Sequence, residues 1–279
     1  FTFFNPKAGF KYFLGNGEIY ASYAVANKEP NRDDFTDNTQ VSRPEHETLR
    51  NLEIGYAGKF KNVEVGANIY WMDYDNQLIL TGQINDVGAG TRRNVADSYR
   101  LGLELQGAWS PVPQFTWQAN ATFSENKIEN YSEFLTIYNA DFDDLGQNEI
   151  QYGTTDIAFS PSIIAANQFI FRPIQGLEFA IMSKYVGEQF LDNTASDIRK
   201  LDAYTTTDLR FSYNFKTKGL KNVGISLLVN NVFNEEYESN GYTFGWLNEA
   251  GGQIIDRTSV NYFYPQAGTN FLVGLNVRI

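Results

Sequence analysis

The chain of 279 residues contains no cysteine and a single histidine, His46. It therefore cannot form disulfides, thiolate nucleophiles or cysteine-ligated zinc and iron–sulfur sites. Ser-His-Asp catalysis could use only His46, which lies in the polar stretch 43–47. Its neighbours Glu45 and Glu47 do not make it a metal site, because adjacent residues of an extended chain point to opposite faces. Nucleophile-elbow and phosphate-loop motifs are also missing, so we expect no enzyme and no catalytic residue.

Basic residues are in the minority, with 22 Lys and Arg against 33 Asp and Glu and a net charge of −11. Nucleic-acid-binding proteins usually have a binding surface rich in Lys and Arg, so no nucleic-acid partner is expected. No run approaches the roughly 18 apolar residues of a helical membrane span. The first residues lack the basic segment and cleavage site of a signal peptide. The chain reads as a mature protein or as a fragment of a longer one.

What the sequence does have is a period of two. Residues 271–279 place five apolar side chains on one face and Leu, Gly, Asn and Arg on the other. Such alternation predicts strands with one apolar and one polar face. Most of these segments are longer than the five or six residues of a usual globular strand, and they suit the roughly 9–11 residues of a membrane-crossing strand. Eleven of them begin near Pro6, Glu18, Glu47, Asn62, Tyr99, Gln114, Asp156, Gly176, Leu201, Asn222 and Thr269.

The connections between these strands alternate in length. Short turns are predicted at 15–17, 61–62, 110–113, 172–176 and 216–221, and long loops at 28–46, 73–98, 127–155, 188–200 and 234–268. The short turns are rich in Lys and Arg, whereas the long loops are acidic. Transmembrane barrels have short periplasmic turns and long extracellular loops. The pattern therefore predicts an all-β, antiparallel transmembrane barrel sheet with outer-membrane lipid around it.

Aromatic residues make up 15 % of the chain and fall near both strand ends. On the apolar face, the last residues before the short turns are Leu14, Phe60, Trp109, Phe171 and Phe215. Near the long loops, the same face carries Tyr23, Trp71, Phe123, Tyr185 and Phe233. Two interfacial girdles would have this pattern. The polar face carries both charge signs, including Lys11, Glu53, Arg100, Glu104 and Asp208, as a polar lumen would require.

Several stretches resemble the carboxy-terminal part of TonB-dependent outer-membrane receptors, particularly those of the Bacteroidetes. They are Asn-Pro-Lys-Ala-Gly-Phe-Lys-Tyr at 5–12, the Lys-Glu-Pro-Asn-Arg-Asp-Asp-Phe loop at 28–35, Leu-Glu-Ile-Gly-Tyr at 52–56, Val-Asn-Asn-Val-Phe-Asn-Glu-Glu-Tyr at 229–237, and the segment from Tyr-Pro-Gln-Ala-Gly at 264–268 to Ile279. The family commonly ends in Phe, whereas this sequence ends in Ile.

The resemblance implies that residues 1–279 are the last half of a barrel of about 22 strands. The family's amino-terminal plug domain and TonB box have no counterpart in this chain, so we expect them elsewhere in the same polypeptide. The resemblance further implies import of a scarce nutrient, such as an iron–siderophore chelate, powered by the TonB complex acting on the plug. No cofactor is implied. Siderophore, haem, cobalamin and glycan all remain possible ligands.

Aromatic and arginine side chains in the long loops are the candidates for ligand binding, since both residue types are common anchors. They are Tyr74, Arg92, Arg93, Tyr242 and Trp246. The two arginines could grip an anionic chelate, or they could pair with Asp86 or Asp97. The segment 242–246 could bind a sugar or an aromatic chelator, or it could pack the last loop onto its neighbour.

Two other functions remain open on the sequence. A passive outer-membrane channel would form a closed barrel from this chain alone, without a plug. A soluble or surface-anchored β-rich binding protein would instead bury Trp109, Phe171 and Phe215 in a core.

Overall fold

The computed structural model describes residues 2–37, 43–85 and 90–279. Within these ranges the chain is almost entirely β-strand, with one short helix. The helix is α1 (Arg32–Asp37), and the strands in chain order are β1 (Lys7–Leu14), β2 (Gly17–Lys28), β3 (Glu47–Lys59), β4 (Val63–Ile84), β5 (Gly90–Val112), β6 (Phe115–Ile128), β7 (Ser132–Tyr138), β8 (Asp144–Gln151), β9 (Thr155–Asp156), β10 (Ile163–Phe171), β11 (Leu177–Val186), β12 (Gln189–Phe190), β13 (Lys200–Leu201), β14 (Tyr204–Thr217), β15 (Leu220–Asn230), β16 (Glu238–Ala250), β17 (Gln253–Pro265) and β18 (Asn270–Arg278). The described helix is not long and apolar enough to cross a membrane.

Eleven long strands form one antiparallel sheet, which confirms the predicted strand count and meander. Their order is β1-β2-β3-β4-β5-β6-β10-β11-β14-β15-β18, and the short β9 adds to β6. Among the described residues β1 pairs only with β2 and β18 only with β15, so the sheet is open. The closed barrel that a passive channel would need is therefore not formed by these residues.

The outer face of the sheet is apolar and exposed. Cross-strand register aligns Ile54 with Ile69, Ile69 with Leu103, and Leu103 with Phe123. Ile69 is 55 % exposed, and Trp109 and Phe171 are 45 % and 48 % exposed. A continuous apolar surface of this size is typical of a face that meets lipid. The rings do not lie in a core, so the prediction of the soluble-protein hypothesis is wrong.

The opposite face is the polar inner wall, where long side chains lie across glycines of neighbouring strands. Tyr20 covers Gly55 and Tyr70 covers Gly102, so closely that a Cβ at either glycine would overlap the ring. The Tyr20 hydroxyl donates to Asn68 Oδ1 at 3.2 Å, and Asn68 Nδ2 donates to Glu104 at 3.1 Å. Side chains thus join β2 to β4 across β3, and β4 to β5, in addition to the backbone hydrogen bonds.

Short and long connections alternate as predicted, but the long ones are more ordered than expected. The second loop was predicted to span 73–98, whereas β4 continues to Ile84 and β5 begins at Gly90. The reason is that antiparallel pairing persists beyond the membrane band, for example between Gln77 and Val95. We name the connections β6–β10, β11–β14 and β15–β18 loops 3, 4 and 5.

Loops 3 and 5 contain strands of their own. They form a second sheet in the order β17-β16-β7-β8, in which β16 and β7 run parallel. Beside it lies a hydrophobic cluster of Val95, Ile128, Tyr131 and Ile157, with Ile79 and Tyr152 packed against it. This cluster joins the extended β4–β5 hairpin to loop 3. The buried core of the described chain therefore sits at the long-loop end, and not between the membrane-crossing strands.

Candidate functional site

Strand β16 in loop 5 has two very different faces. Its even positions carry the rings Tyr242, Phe244 and Trp246, whereas Gly241 and Gly245 lie on the other face. A Cβ at Gly245 would stand 2.7 Å from Arg199 Nη2 and 2.6 Å from the Thr258 carbonyl oxygen. The glycines therefore leave room for loop 4 to pack closely on this face.

The ring-bearing face continues onto β17. The five side chains that share it are Tyr242, Phe244, Trp246, Tyr262 and Tyr264, which we name the aromatic strip. The Tyr242 and Tyr262 centroids are 5.0 Å apart, and Phe244 lies 6.2 Å from Trp246. Four of the five rings are at least 44 % exposed. Exposed aromatic side chains grouped in this way are typical anchors for a ligand.

The other face of the β16–β17 hairpin is held by a buried arginine of loop 4. Arg199 is 1 % exposed, and its Nη1 donates to Glu133 of loop 3 at 2.7 Å and to Asp192 of loop 4 at 2.6 Å. Its Nη2 donates to Ser259 of loop 5 at 2.7 Å. One side chain therefore joins all three loops, which we call the loop assembly.

Glu133 also accepts bonds from a second arginine. Arg257 Nη2 donates to its Oε1 at 2.9 Å, and the Tyr152 hydroxyl donates to its Oε2 at 2.9 Å. Arg257 Nη1 in turn donates to the Tyr152 oxygen at 2.8 Å. Two cations and two carboxylates balance within the network, as burial of charge requires.

Burial shapes the acidity of this region. Burial raises the pKa of Tyr131 above its ordinary range, with the nearby charges of Glu133 and Asp192 adding to the effect. Burial also acts on Arg199 by lowering its pKa, but the hydrogen bond to Glu133 and the charge of Asp192 outweigh it, so the pKa is raised. Arg199 is therefore a permanent cation, and Tyr131 stays a neutral phenol well past neutral pH.

The first long loop is tied to the β4–β5 hairpin by a separate set of bonds. The Glu45 N–H donates to Asn94 Oδ1 at 2.8 Å, and Asn94 Nδ2 donates to the Glu45 carbonyl at 3.0 Å. Arg92 forms an ion pair with Asp34 of α1, with Nη1 and Oδ1 3.6 Å apart. His46 lies beside Phe3, with ring centroids 5.1 Å apart.

The residues predicted to bind ligand fall into two separate groups. Tyr242 and Trp246 share the aromatic strip, whereas Tyr74, Arg92 and Arg93 lie on the β4–β5 hairpin. The Arg93 guanidinium stands 5.0 Å from the Phe134 ring centroid. Arg92 and Arg93 are adjacent in a strand, so their side chains leave it on opposite faces. Asp86, one proposed partner, lies outside the described residues.

Sequence reasoning missed the network around Arg199. Buried charge pairs formed by residues 66 positions apart leave no periodic signal. The alternation of glycine with rings at 241–246 was the one available clue, because it marks a strand with one flat face. Among the described residues no group of three or more His, Cys, Asp or Glu side chains could hold a metal ion.

Below the loops, the inner wall forms an open cleft of about 820 Å³. It runs across the sheet from the short turn at 15–17 to the strand ends of β11 and β14 that lead to loop 4. Its lining is rich in uncharged amides such as Gln106, Gln118 and Asn120, together with Lys184 and Asp208. The observed polarity agrees with the prediction of a hydrated or plug-facing lumen.

Comparison with known proteins identifies the fold. The family described as TonB dependent receptor-like, beta-barrel matches residues 1–232. The ferrichrome outer membrane transporter/phage receptor of Escherichia coli K12 is 23 % identical over 256 residues, covering 90 % of this chain and 31 % of that protein.

Two solved structures illustrate the likeness. The siderophore receptor PiuA of Acinetobacter baumannii superposes with a TM-score of 0.71 at 17 % identity, covering 98 % of this chain and 35 % of that one. The copper transporter OprC gives a TM-score of 0.69 at 16 % identity, with 96 % and 39 % covered. The chain thus spans about a third of the length of these relatives. The open antiparallel sheet and its apolar outer face agree with the family match over residues 1–232. The chain therefore belongs to the TonB-dependent receptor β-barrel family, whose members are outer-membrane receptors and transporters and not enzymes.

Proposed function

We propose that this chain is the ligand-recognising part of a TonB-dependent importer, and that its cargo is an iron–siderophore or similar metal chelate. The observation that carries the proposal is the loop assembly, whose aromatic strip is exposed at the long-loop end of a sheet with a polar inner wall. Aromatic anchors suit a chelate whose organic shell is large and flat. The likeness to siderophore receptors and to a copper transporter supports a metal-containing cargo without choosing the chelator.

In this proposal residues 1–279 form the carboxy-terminal half of the barrel, and a plug domain of the same polypeptide fills the lumen. The inner wall offers charges of both signs to such a plug, including Lys184, Arg210 and Asp208. The TonB complex would act on the plug, so energy would reach the cargo without any bond of the ligand being broken. Tyr74, Arg92 and Arg93 would line the approach from the β4–β5 hairpin.

Uptake of iron tests the proposal directly. A strain lacking the gene is complemented with the wild type. Ferrichrome, a ferric catecholate and free copper are supplied separately, each with its own metal radioactively labelled, and accumulation of that metal is followed. We expect one chelate to be taken up in a way that a protonophore abolishes. Energy-independent entry of all small solutes would contradict the proposal and favour a passive pore.

Binding separates the role of the strip from that of the barrel. Tyr242→Ala and Trp246→Ala should each raise the Kd of the transported chelate by about tenfold or more, because each removes a stacked ring. Phe142→Ala is the matched control, since that ring is 74 % exposed in loop 3 but lies outside the strip. Equal effects of all three substitutions would contradict the assignment.

A further inference from the structure

The hairpin turn between β14 and β15 carries three lysines in six residues, Lys216, Lys218 and Lys221, which we name the lysine patch. All three are exposed. Residues 209–234 contain no Asp or Glu, in a protein whose net charge is −11. A local excess of positive charge therefore stands against the overall acidity of the chain.

Three other cations near the short turns are neutralised by carboxylates. Lys11 forms an ion pair with Glu18 at 2.7 Å, and Arg172 forms one with Glu178 at 2.8 Å. Lys59 pairs with Glu64 in the same way. Within the described residues the three lysines of the patch have no ion pair and no hydrogen bond from their ammonium groups. Their charge is thus free to act on something outside the chain.

The position of the patch relative to the membrane indicates what that is. Phe215 lies on the outward face of β14 beside Tyr213, with centroids 5.1 Å apart, and belongs to the predicted girdle at this end. The turn at Lys218 and Gly219 follows within a few residues, closed by Gly219 at a φ of 87°. Lysine stems of four carbons can lie along apolar surface while the ammonium groups reach the headgroups.

We propose that the lysine patch is a contact site for anionic phospholipid in the periplasmic leaflet. The short turns of outer-membrane barrels face the periplasm. Clustered Lys and Arg beside a membrane attract anionic headgroups, each contributing a similar increment. The adjoining rings favour a lipid over a soluble anion, because one molecule can then bind through its phosphate to the lysines and through its acyl chains to the girdle.

The test uses the complete gene product in nanodiscs that contain equal amounts of phosphatidylglycerol and phosphatidylcholine. Native mass spectrometry then counts the lipids that stay bound. The wild type should retain phosphatidylglycerol preferentially. The triple variant K216Q/K218Q/K221Q should lose at least tenfold of that preference, since each lysine is worth about fivefold near a charged surface.

The matched control is the triple variant K11Q/K59Q/R172Q, which removes three paired cations at the same end. We expect it to change the preference less than twofold. Heat-modifiable mobility on a gel verifies that each variant is folded. Equal losses in both triple variants, or a wild type without preference for the anionic lipid, would overturn the proposal. In a further experiment Lys218 is replaced by a photo-crosslinking residue. Crosslinking of the patch to a polypeptide in place of lipid would also overturn the proposal.

Discussion

The guanidinium of Arg199 lies 2.7 Å from the carboxylate of Glu133, and both side chains are more than nine-tenths buried. The two residues are 66 positions apart and belong to different long loops. A buried charge pair of this kind costs desolvation, which its partners Asp192, Ser259 and Arg257 offset by hydrogen bonding. The loops of this protein are therefore a folded unit whose geometry depends on a few polar contacts.

Replacing Arg199 by Met should open the loop assembly, because Glu133 and Asp192 would keep buried charge without this partner. Removal of one member of such a pair typically costs about 3–5 kcal/mol. Hydrogen exchange of residues 131–135 and 257–259 should rise by two to three orders of magnitude, while the membrane strands stay protected.

Lys200→Met is the control for that experiment. Lys200 is the next residue along the chain, and it pairs with Glu188 and Asp197 at the surface. Exposed pairs contribute about 0–1 kcal/mol, so exchange should change less than tenfold. If the two variants behaved alike, the Arg199 network would not be what holds the loops together.

Gly245→Ala should also loosen loop 4 from loop 5. Its new methyl group would meet Arg199 Nη2 at 2.7 Å and a backbone oxygen at 2.6 Å, and the oxygen cannot move freely. Overpacking of this type costs about 1–3 kcal/mol. Limited proteolysis of loop 4 measures the effect. Gly153→Ala is the control, because a Cβ at Gly153 would have no atom within 4 Å. The protease should cleave this variant no faster than the wild type.

Arginine at Ile69 should destabilise the folded protein in lipid vesicles by about 2–4 kcal/mol, since the side chain would enter the hydrocarbon layer. Urea unfolding in vesicles followed by tryptophan fluorescence gives the value. Gln118→Arg places the same charge on the polar inner wall and should cost under about 1 kcal/mol. A larger loss at Gln118 than at Ile69 would reverse our assignment of the two faces.

The Tyr70 ring and Gly102 should be strongly coupled. Gly102→Ala alone places a methyl group inside the space of the ring and should destabilise the barrel by about 1–3 kcal/mol. In a Tyr70→Ala background the same change should be neutral or slightly stabilising, because glycine weakens a strand. A double-mutant cycle measures the coupling, and additive effects would mean that the ring does not lie over the glycine.

Sequence reasoning succeeded where the physical signal is local. Alternation at 271–279 predicted a strand, because successive side chains of a strand point to opposite faces. It failed at 73–98, where it predicted a loop and the structure has the continued β4–β5 hairpin. Outside the membrane no lipid enforces a strict apolar face, so strand pairing there depends on contacts with loop 3, such as those around Val95 and Tyr131.

The sequence by itself determined the eleven strands, their apolar outer face and the alternation of short turns with long loops. The physical reason is that every membrane-crossing strand must present apolar side chains to lipid. The tertiary structure decided how the long loops meet: which face of β16 packs against loop 4, and that Arg199 joins three loops. Those features depend on charges brought together from distant parts of the chain. The attraction within such a pair becomes strong only where burial excludes water, and burial depends on the complete fold.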